Sequence, residues 1–170
     1  MEDPGVPQGD PHEWFERAST LLESGNPEAA DVLLRRLLDV DPSATSVIEA
    51  HARALFDSGR YAEAAEAFAE LSERSPAEDY AHFGLGMALW RLQMFPRARD
   101  ELAMAAVMRP SRADYQRALG QVEATLRARR EAGLPLEGPV SIPVSRIGQE
   151  IVDAAVRSAA SGKTVKLPPQ

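Results

Sequence analysis

Apolar residues recur along residues 11–132 with the three-and-four spacing of amphipathic helices, and the pattern breaks at regular intervals. Most of these breaks coincide with proline, glycine or short polar runs, which end or begin helices. The pattern therefore predicts seven helices. They are expected at about 12–24, 28–40, 45–57, 61–74, 79–92, 95–108 and 113–132.

The first six helices form a repeating unit. Pro42, Pro76 and Pro110 lie 34 residues apart and divide the chain into units 11–44, 45–78 and 79–112. Two positions of the unit are always small, as expected where the two helices of a hairpin cross closely. They are Ala18, Ala52 and Gly86 in the first helices and Ala30, Ala64 and Ala98 in the second.

The turn between the two helices of each unit also recurs. Gly25 and Gly59 stand at the end of the first helix, where glycine adopts a left-handed conformation at little cost. In the third unit Gln93-Met94-Phe95 occupies this place without a glycine. Large apolar residues keep the same register: Leu21, Leu55 and Leu89 in the first helices, and Leu34, Phe68 and Leu102 in the second.

A 34-residue helix–turn–helix unit of this kind closely resembles the tetratricopeptide repeat over roughly 11–112. The second unit (Gly59, Tyr61, Ala64, Phe68, Pro76) and the third (Leu85, Gly86, Phe95, Ala98, Pro110) match best. The first unit keeps Trp14 at the signature tryptophan position but has Arg17 where leucine is usual. The resemblance implies an all-α solenoid of three helix-turn-helix repeats plus a capping helix.

The predicted cap, 113–132, covers the apolar face that a last repeat would otherwise expose. Gly120 stands at its small position, so the cap looks like the first half of a fourth unit. Its arginines, Arg117, Arg127, Arg129 and Arg130, are expected to keep the rest of its surface in water.

The resulting domain organisation is a disordered N-terminus (1–10), a repeat domain (11–132), a linker (133–144), a C-terminal amphipathic helix (145–162) and a flexible tail (163–170). Gly133 and Pro135 end the cap, whereas Ser145 and Gly162 are suited to cap the last helix at either end.

The first helices of tetratricopeptide units line a concave groove, so the resemblance implies a binding surface. Carried over by register, its residues are Phe15, Ser19 and Leu22 in the first unit, Glu49, Arg53 and Phe56 in the second, and Tyr80, Phe83, Met87, Trp90 and Arg91 in the third. Phe83, Met87 and Trp90 lie on one helical stripe. Two interpretations stay open for that stripe, an apolar patch for a partner and ordinary core.

The family's best-known peptide site is a clamp of lysine and asparagine for a C-terminal carboxylate. It is missing here, because the matching positions hold Phe15, Ser19, Glu49, Arg53 and Phe83. An apolar peptide or helix suits the aromatic and methionine side chains better. One candidate is the protein's own C-terminal helix, 146–161, acting in cis or by exchange in a dimer.

The net charge of −7 is uneven, at −11 for residues 1–78 and +4 for residues 79–170. Overall acidity argues against nucleic acid as the main ligand. The sequence has no cysteine and no recognised catalytic or metal-binding motif, so no catalytic residue, metal or cofactor is predicted.

We expect a non-catalytic protein-interaction module: a scaffold, assembly factor or chaperone-like adaptor. No signal peptide or membrane span is apparent, which favours the cytoplasm. Lys163 and Lys166 are the only lysines among 19 basic residues, a bias typical of GC-rich bacterial genomes. The alternatives are a regulatory subunit of an enzyme complex and an RNA or anionic-surface binder using the arginine-rich region 109–130.

Overall fold

The computed structural model describes residues 10–138, and every regular element among them is an α-helix. The seven helices are α1 (Pro11–Glu23), α2 (Pro27–Val40), α3 (Thr45–Asp57), α4 (Tyr61–Arg74), α5 (Asp79–Arg91), α6 (Phe95–Met108) and α7 (Ala113–Glu131). Their bounds agree with the predicted ones to within about a residue, so the sequence-based prediction of the all-α fold is confirmed.

Local chemistry explains where these helices begin and end. Asp10 caps α1 by accepting a hydrogen bond from the backbone N–H of Glu13, whose side chain accepts one from Asp10 in return. At the turns inside the hairpins, Gly25 and Gly59 both have φ of +76°. Gln93 takes the equivalent left-handed conformation at φ +60°, so the third turn keeps its geometry without a glycine.

Consecutive helices pack against each other, and each first helix also contacts the first helix of the next unit. Ala18, Ala52, Ala30, Ala64 and Ala98 are all fully buried, as the repeat register predicts. At Gly86 a Cβ atom would lie 2.7 Å from Cγ of Leu102, too close for any side chain without movement. The small positions are therefore the points of closest helix crossing.

Helix α7 covers the end of the third unit. Tyr115 and Val122 are fully buried, and Leu126 is nearly so. Gly120, one repeat length beyond Gly86, would meet no atom within 4 Å if it carried a Cβ. The reason is that no second helix packs on this side of α7 within the part of the chain that the structure describes.

The expectation that Arg129 lies in water is wrong. Its side chain is buried, and it holds the segment that follows α7. The guanidinium donates hydrogen bonds to the carbonyl oxygens of Pro135 at 2.9 Å and Gly138 at 2.8 and 2.9 Å. It also lies over the ring of Phe95, 4.6 Å from the centroid. Backbone carbonyls and an aromatic face thus replace water around this charge.

Residues 134–138 consequently return to the repeat domain. The backbone N–H of Gly138 donates a hydrogen bond of 3.0 Å to the carbonyl of Gln93, and Leu136 packs on the core. The predicted N-terminal disorder over 1–9, the linker from residue 139, the C-terminal helix 145–162 and the tail 163–170 lie outside the described residues. Between residues 10 and 138, no helix is long and apolar enough to cross a membrane.

Candidate functional site

The first helices of the repeats, α1, α3 and α5, together with α7, form a row in which each contacts the next. Three adjoining depressions, which we call the first, central and third depressions, lie along this row. The first and central ones share Arg53, and the central and third ones share Met87. We refer to the three together as the groove.

The central depression, about 140 Å³ in volume, is walled by aromatic rings. Tyr80 packs edge-on against Phe68 at 6.0 Å between centroids and lies 6.2 Å from Phe83. The remaining lining residues are Arg53, Phe56, Asp57, Gly84 and Met87. Burial raises the pKa of the Tyr80 hydroxyl, so this phenol stays neutral at physiological pH.

Gly84 allows the ring of Phe68 to reach the floor of this depression. A Cβ at this position would lie 2.3 Å from Cε1 of Phe68, well inside contact distance. Phe68 belongs to α4, which is the second helix of the second unit. The repeat register placed this residue in the core and did not assign it to the groove. The sequence signal for this close packing was the presence of two glycines, Gly84 and Gly86, within one helix. Glycine in a helix interior lowers stability unless close packing requires it.

The first depression lies between α1 and α3 and is more polar. It has a volume of about 230 Å³ and is lined by Phe15, Ser19, Leu22, Glu23, Ser46, Glu49, Ala50 and Arg53. Burial raises the pKa of the Glu49 carboxyl, and the negative charges of Glu78 and Asp79 add to this effect. Arg53 opposes the rise only in part. The depression therefore contains a carboxylate that is poorly compensated.

The third depression has the largest volume of the three, about 550 Å³, and lies between α5 and α7. Met87, Trp90, Arg91, Gln93, Phe95 and Gln121 line it. The backbone carbonyl of Gln93 accepts the hydrogen bond from the N–H of Gly138, and the ring of Phe95 packs against the guanidinium of Arg129. The segment that follows α7 and the arginine that holds it thus contact two residues that line this depression.

All eleven residues predicted for the groove line one of the three depressions. They differ in accessibility. Leu22 is only 7% exposed and belongs to the core of the first unit, whereas Arg53 and Arg91 are exposed. Phe83, Met87 and Trp90 are half-buried and pack on the core beneath them, so they are both core and surface.

The histidines are engaged in local contacts. Nδ1 of His82 lies 2.8 Å from Oε2 of Glu101, and Nδ1 of His51 lies 3.0 Å from Oδ1 of the buried Asp31. Asp31 accepts hydrogen bonds from Arg35 and Arg60 at 2.7 and 2.8 Å. Within residues 10–138 no group of three or more potential ligands is arranged to hold a metal ion.

These features define a helical-repeat protein with a groove along its first helices. The family model for the tetratricopeptide repeat matches residues 49–113. Residues 49–113 are thus similar to tetratricopeptide repeats. A search of curated protein sequences finds no match.

Solved structures with the same fold include two tetratricopeptide domains and a secretion chaperone. The Sgt2 tetratricopeptide domain from Aspergillus fumigatus aligns with a TM-score of 0.69 at 15% identity, over 86% of this chain and 98% of that one. The first such domain of Spaghetti (RPAP3), bound to the HSP90 peptide SRMEEVD, gives 0.66 at 17% identity, over 74% and 99%. The Yersinia enterocolitica type III secretion translocator chaperone SycD gives 0.59 at 16%, over 72% and 93%. At these identities the likeness establishes the fold.

Proposed function

We propose that this protein is a non-catalytic interaction module that binds an apolar peptide or helix of another protein in its groove. It would act as a scaffold, assembly factor or chaperone-like adaptor. The observation that carries the proposal is the half-buried stripe of Phe83, Met87 and Trp90, which runs from the central into the third depression. Aromatic and methionine side chains in concave surfaces are typical anchors for apolar partners.

The opposite side of α5 supports this interpretation. Ala81, Leu85, Ala88 and Leu89 are buried against the neighbouring helices, so this side of α5 already packs in the core. A helix that is apolar on nearly all sides is either fully buried or covered by another molecule. The partial exposure of the stripe favours a cover supplied by a partner.

Two methionines provide a matched test of this proposal. Met87 lines the groove, whereas Met104 on α6 is 50% exposed and lines none of the three depressions. Peptides selected from a random display library on the wild-type protein are titrated by fluorescence anisotropy against Met87→Ala and Met104→Ala. We expect Met87→Ala to weaken binding about tenfold and Met104→Ala to leave the affinity unchanged. Equal affinities for both variants would refute the groove assignment.

The protein's own segment 146–161 is one peptide of the proposed class. Its sequence predicts an amphipathic helix with Ile147, Ile151 and Val152 on its apolar arc. We propose it as a candidate ligand of the third depression, which has the largest volume of the three. A synthetic peptide of residues 146–161, added to the protein in trans, tests this. Binding that Trp90→Ala abolishes is the expected result, and absence of binding removes this candidate.

The arginine-rich alternative receives less support. Arg109 lies 3.0 Å from Asp79, Arg112 forms an ion pair of 2.6 Å with Asp114, and Arg129 is buried. An arginine that is paired with a carboxylate or buried offers less charge to a phosphate than a free arginine does. A role as the regulatory subunit of an enzyme complex is compatible with the same groove, and no separate observation favours it.

A further inference from the structure

The groove changes character at Arg53. On one side lies the aromatic central depression, and on the other the polar first depression with Glu23 and Glu49. Arg53 lines both and could in principle neutralise Glu49. It is instead 3.6 Å from Asp57, one helical turn further along α3. Within the described residues, Glu49 has no cation at ion-pair distance.

Glu49 is also partly removed from water. It is of intermediate exposure, and the carboxylates of Glu78 and Asp79 add negative charge to its surroundings. A carboxylate in such a place gains more from an incoming cation than an exposed one does, because part of its desolvation has already occurred. An incoming carboxylate or phosphate meets repulsion instead.

Repeat register shows that this carboxylate is particular to the second unit. The equivalent positions, 34 residues before and after Glu49, hold Phe15 and Phe83. The groove therefore presents two aromatic rings with one acidic group between them. Charge at this single position distinguishes partners that would otherwise fit the same apolar surface.

We propose that the groove binds an extended polypeptide segment that carries one large apolar side chain and one lysine or arginine about three residues away. The apolar side chain fills the central depression, and the cation lies in the first depression against Glu49 and Glu23. This inference rests on the proposed function and names the chemistry of the partner.

The spacing follows from the geometry of the row of helices. The two depressions lie between successive first helices, and packed helices are about 8–10 Å apart. An extended chain advances about 3.3 Å per residue, so about three residues cover that distance. The small volume of the central depression, about 140 Å³, suits one side chain rather than the face of a helix.

Long-range charge acts in the same direction. Residues 1–78, which include both acidic groups of the first depression, carry a net charge of −11. A field of that sign raises the association rate of a basic segment and lowers that of an acidic one. The peptide SRMEEVD, bound in the RPAP3 structure, is acidic and is expected not to bind here.

The test is a comparison of peptide selections. A random twelve-residue library displayed on phage is panned against the wild-type protein, Glu49→Gln and Glu73→Gln. Glu73, exposed on α4, serves as the matched control. We expect the wild type and Glu73→Gln to enrich lysine or arginine two to four residues from a large apolar residue. Glu49→Gln should retain the apolar residue and lose the cation.

The outcomes separate the two proposals. Enrichment of apolar residues without a cation, or a cation that persists on Glu49→Gln, overturns this inference and leaves the proposed function standing. A wild-type protein that enriches no peptide overturns both. As a second measurement, the selected peptide should bind Glu49→Gln about tenfold more weakly in fluorescence anisotropy at 0.1 M salt or below.

Discussion

The ring of Tyr115 stacks on the ring of Phe83, with the centroids 4.5 Å apart and the planes inclined by 20°. Tyr115 belongs to the capping helix α7 and is fully buried, whereas Phe83 belongs to α5 and lines the groove. The hydroxyl of Tyr115 donates a hydrogen bond of 2.9 Å to Oδ2 of Asp79, at the start of α5. The cap therefore supports the wall of the groove as well as closing the core.

Replacing Tyr115 separates these two roles. Tyr115→Phe keeps the stacked ring but leaves the buried carboxylate of Asp79 without this donor. We expect the free energy of unfolding to fall by about 1–3 kcal/mol, measured by urea denaturation, while affinity for a groove peptide stays near the wild-type value. Tyr115→Leu should lower both stability and affinity. A loss of affinity in Tyr115→Phe equal to that in Tyr115→Leu would contradict the assigned roles.

Gly86 and Gly120 occupy equivalent positions one repeat apart, yet alanine should have opposite effects at them. At Gly86 a Cβ would lie 2.7 Å from Cγ and 3.1 Å from the backbone N of Leu102, so Gly86→Ala should destabilise by about 1–3 kcal/mol. At Gly120 the space is open. Gly120→Ala should stabilise by about 0.5–1 kcal/mol through helix propensity alone.

Thermal or urea unfolding of the two variants decides this prediction. Each serves as the control for the other, since the substitution and the register position are the same. Stabilisation, or no change, in Gly86→Ala would show that the second helix of the third unit does not pack as closely as described.

The sequence was sufficient to predict the helices and their hairpins, because the signals are local and repeat in register. Gly25 and Gly59 mark turns by their own conformational freedom, and Gly86 marks a close crossing by its alignment with Ala18 and Ala52. The helix and hairpin predictions need only the spacing of residues along a helix. The eleven groove positions came instead from the resemblance to the tetratricopeptide repeat, carried over by register.

Other features depended on where long side chains meet in space. The ring of Phe68 reaches the groove only because Gly84 makes room for it, and Tyr115 of α7 stacks on Phe83 of α5, a helix that is not its neighbour in the sequence. Arg129 looked like a solvated residue because arginine on a helix surface usually is. Its burial depends on carbonyl groups six and nine residues away that fold back onto it, which periodicity does not predict.

His51 makes stability depend on pH. Burial lowers its pKa below the ordinary value of 6.5, while the carboxylate of Asp31 opposes this shift and Arg35 and Arg60 add to it. The folded state thus favours neutral His51, so the contribution of this histidine to stability is fully present above about pH 6.5. It falls as the pH drops through the lowered pKa of the folded state.

Urea unfolding of the wild type and His51→Gln at pH 7.5 and 5.5 tests this dependence. We expect the decrease in unfolding free energy between the two pH values to be smaller in His51→Gln, because glutamine does not titrate. Glu49 has the opposite effect on the pH dependence of stability, because its pKa is raised in the folded state and its protonation therefore stabilises the fold on acidification. This contribution is the same in the wild type and in His51→Gln. An equal decrease in both proteins would show that protonation of His51 does not contribute to the pH dependence of stability.

The last prediction concerns the segment 134–138, which the hydrogen bonds of Arg129 make part of the repeat domain. A chain ending at Gly133 loses the carbonyl groups of Pro135 and Gly138, the bond from Gly138 to Gln93, and the packing of Leu136. A buried guanidinium is then left with the ring of Phe95 as its main partner. We expect residues 1–133 to be less stable than residues 1–138 by about 2–4 kcal/mol, since hydrogen bonds to charged groups contribute about 1.5–3 kcal/mol.

Arg129→Met, made in both chains, completes a double-mutant cycle. In the longer chain it removes the same hydrogen bonds, whereas in the shorter chain those bonds are already absent, so its cost there should be small. The coupling free energy should therefore be about 1–3 kcal/mol. Additive effects of the truncation and the substitution would mean that Arg129 does not hold this segment in solution.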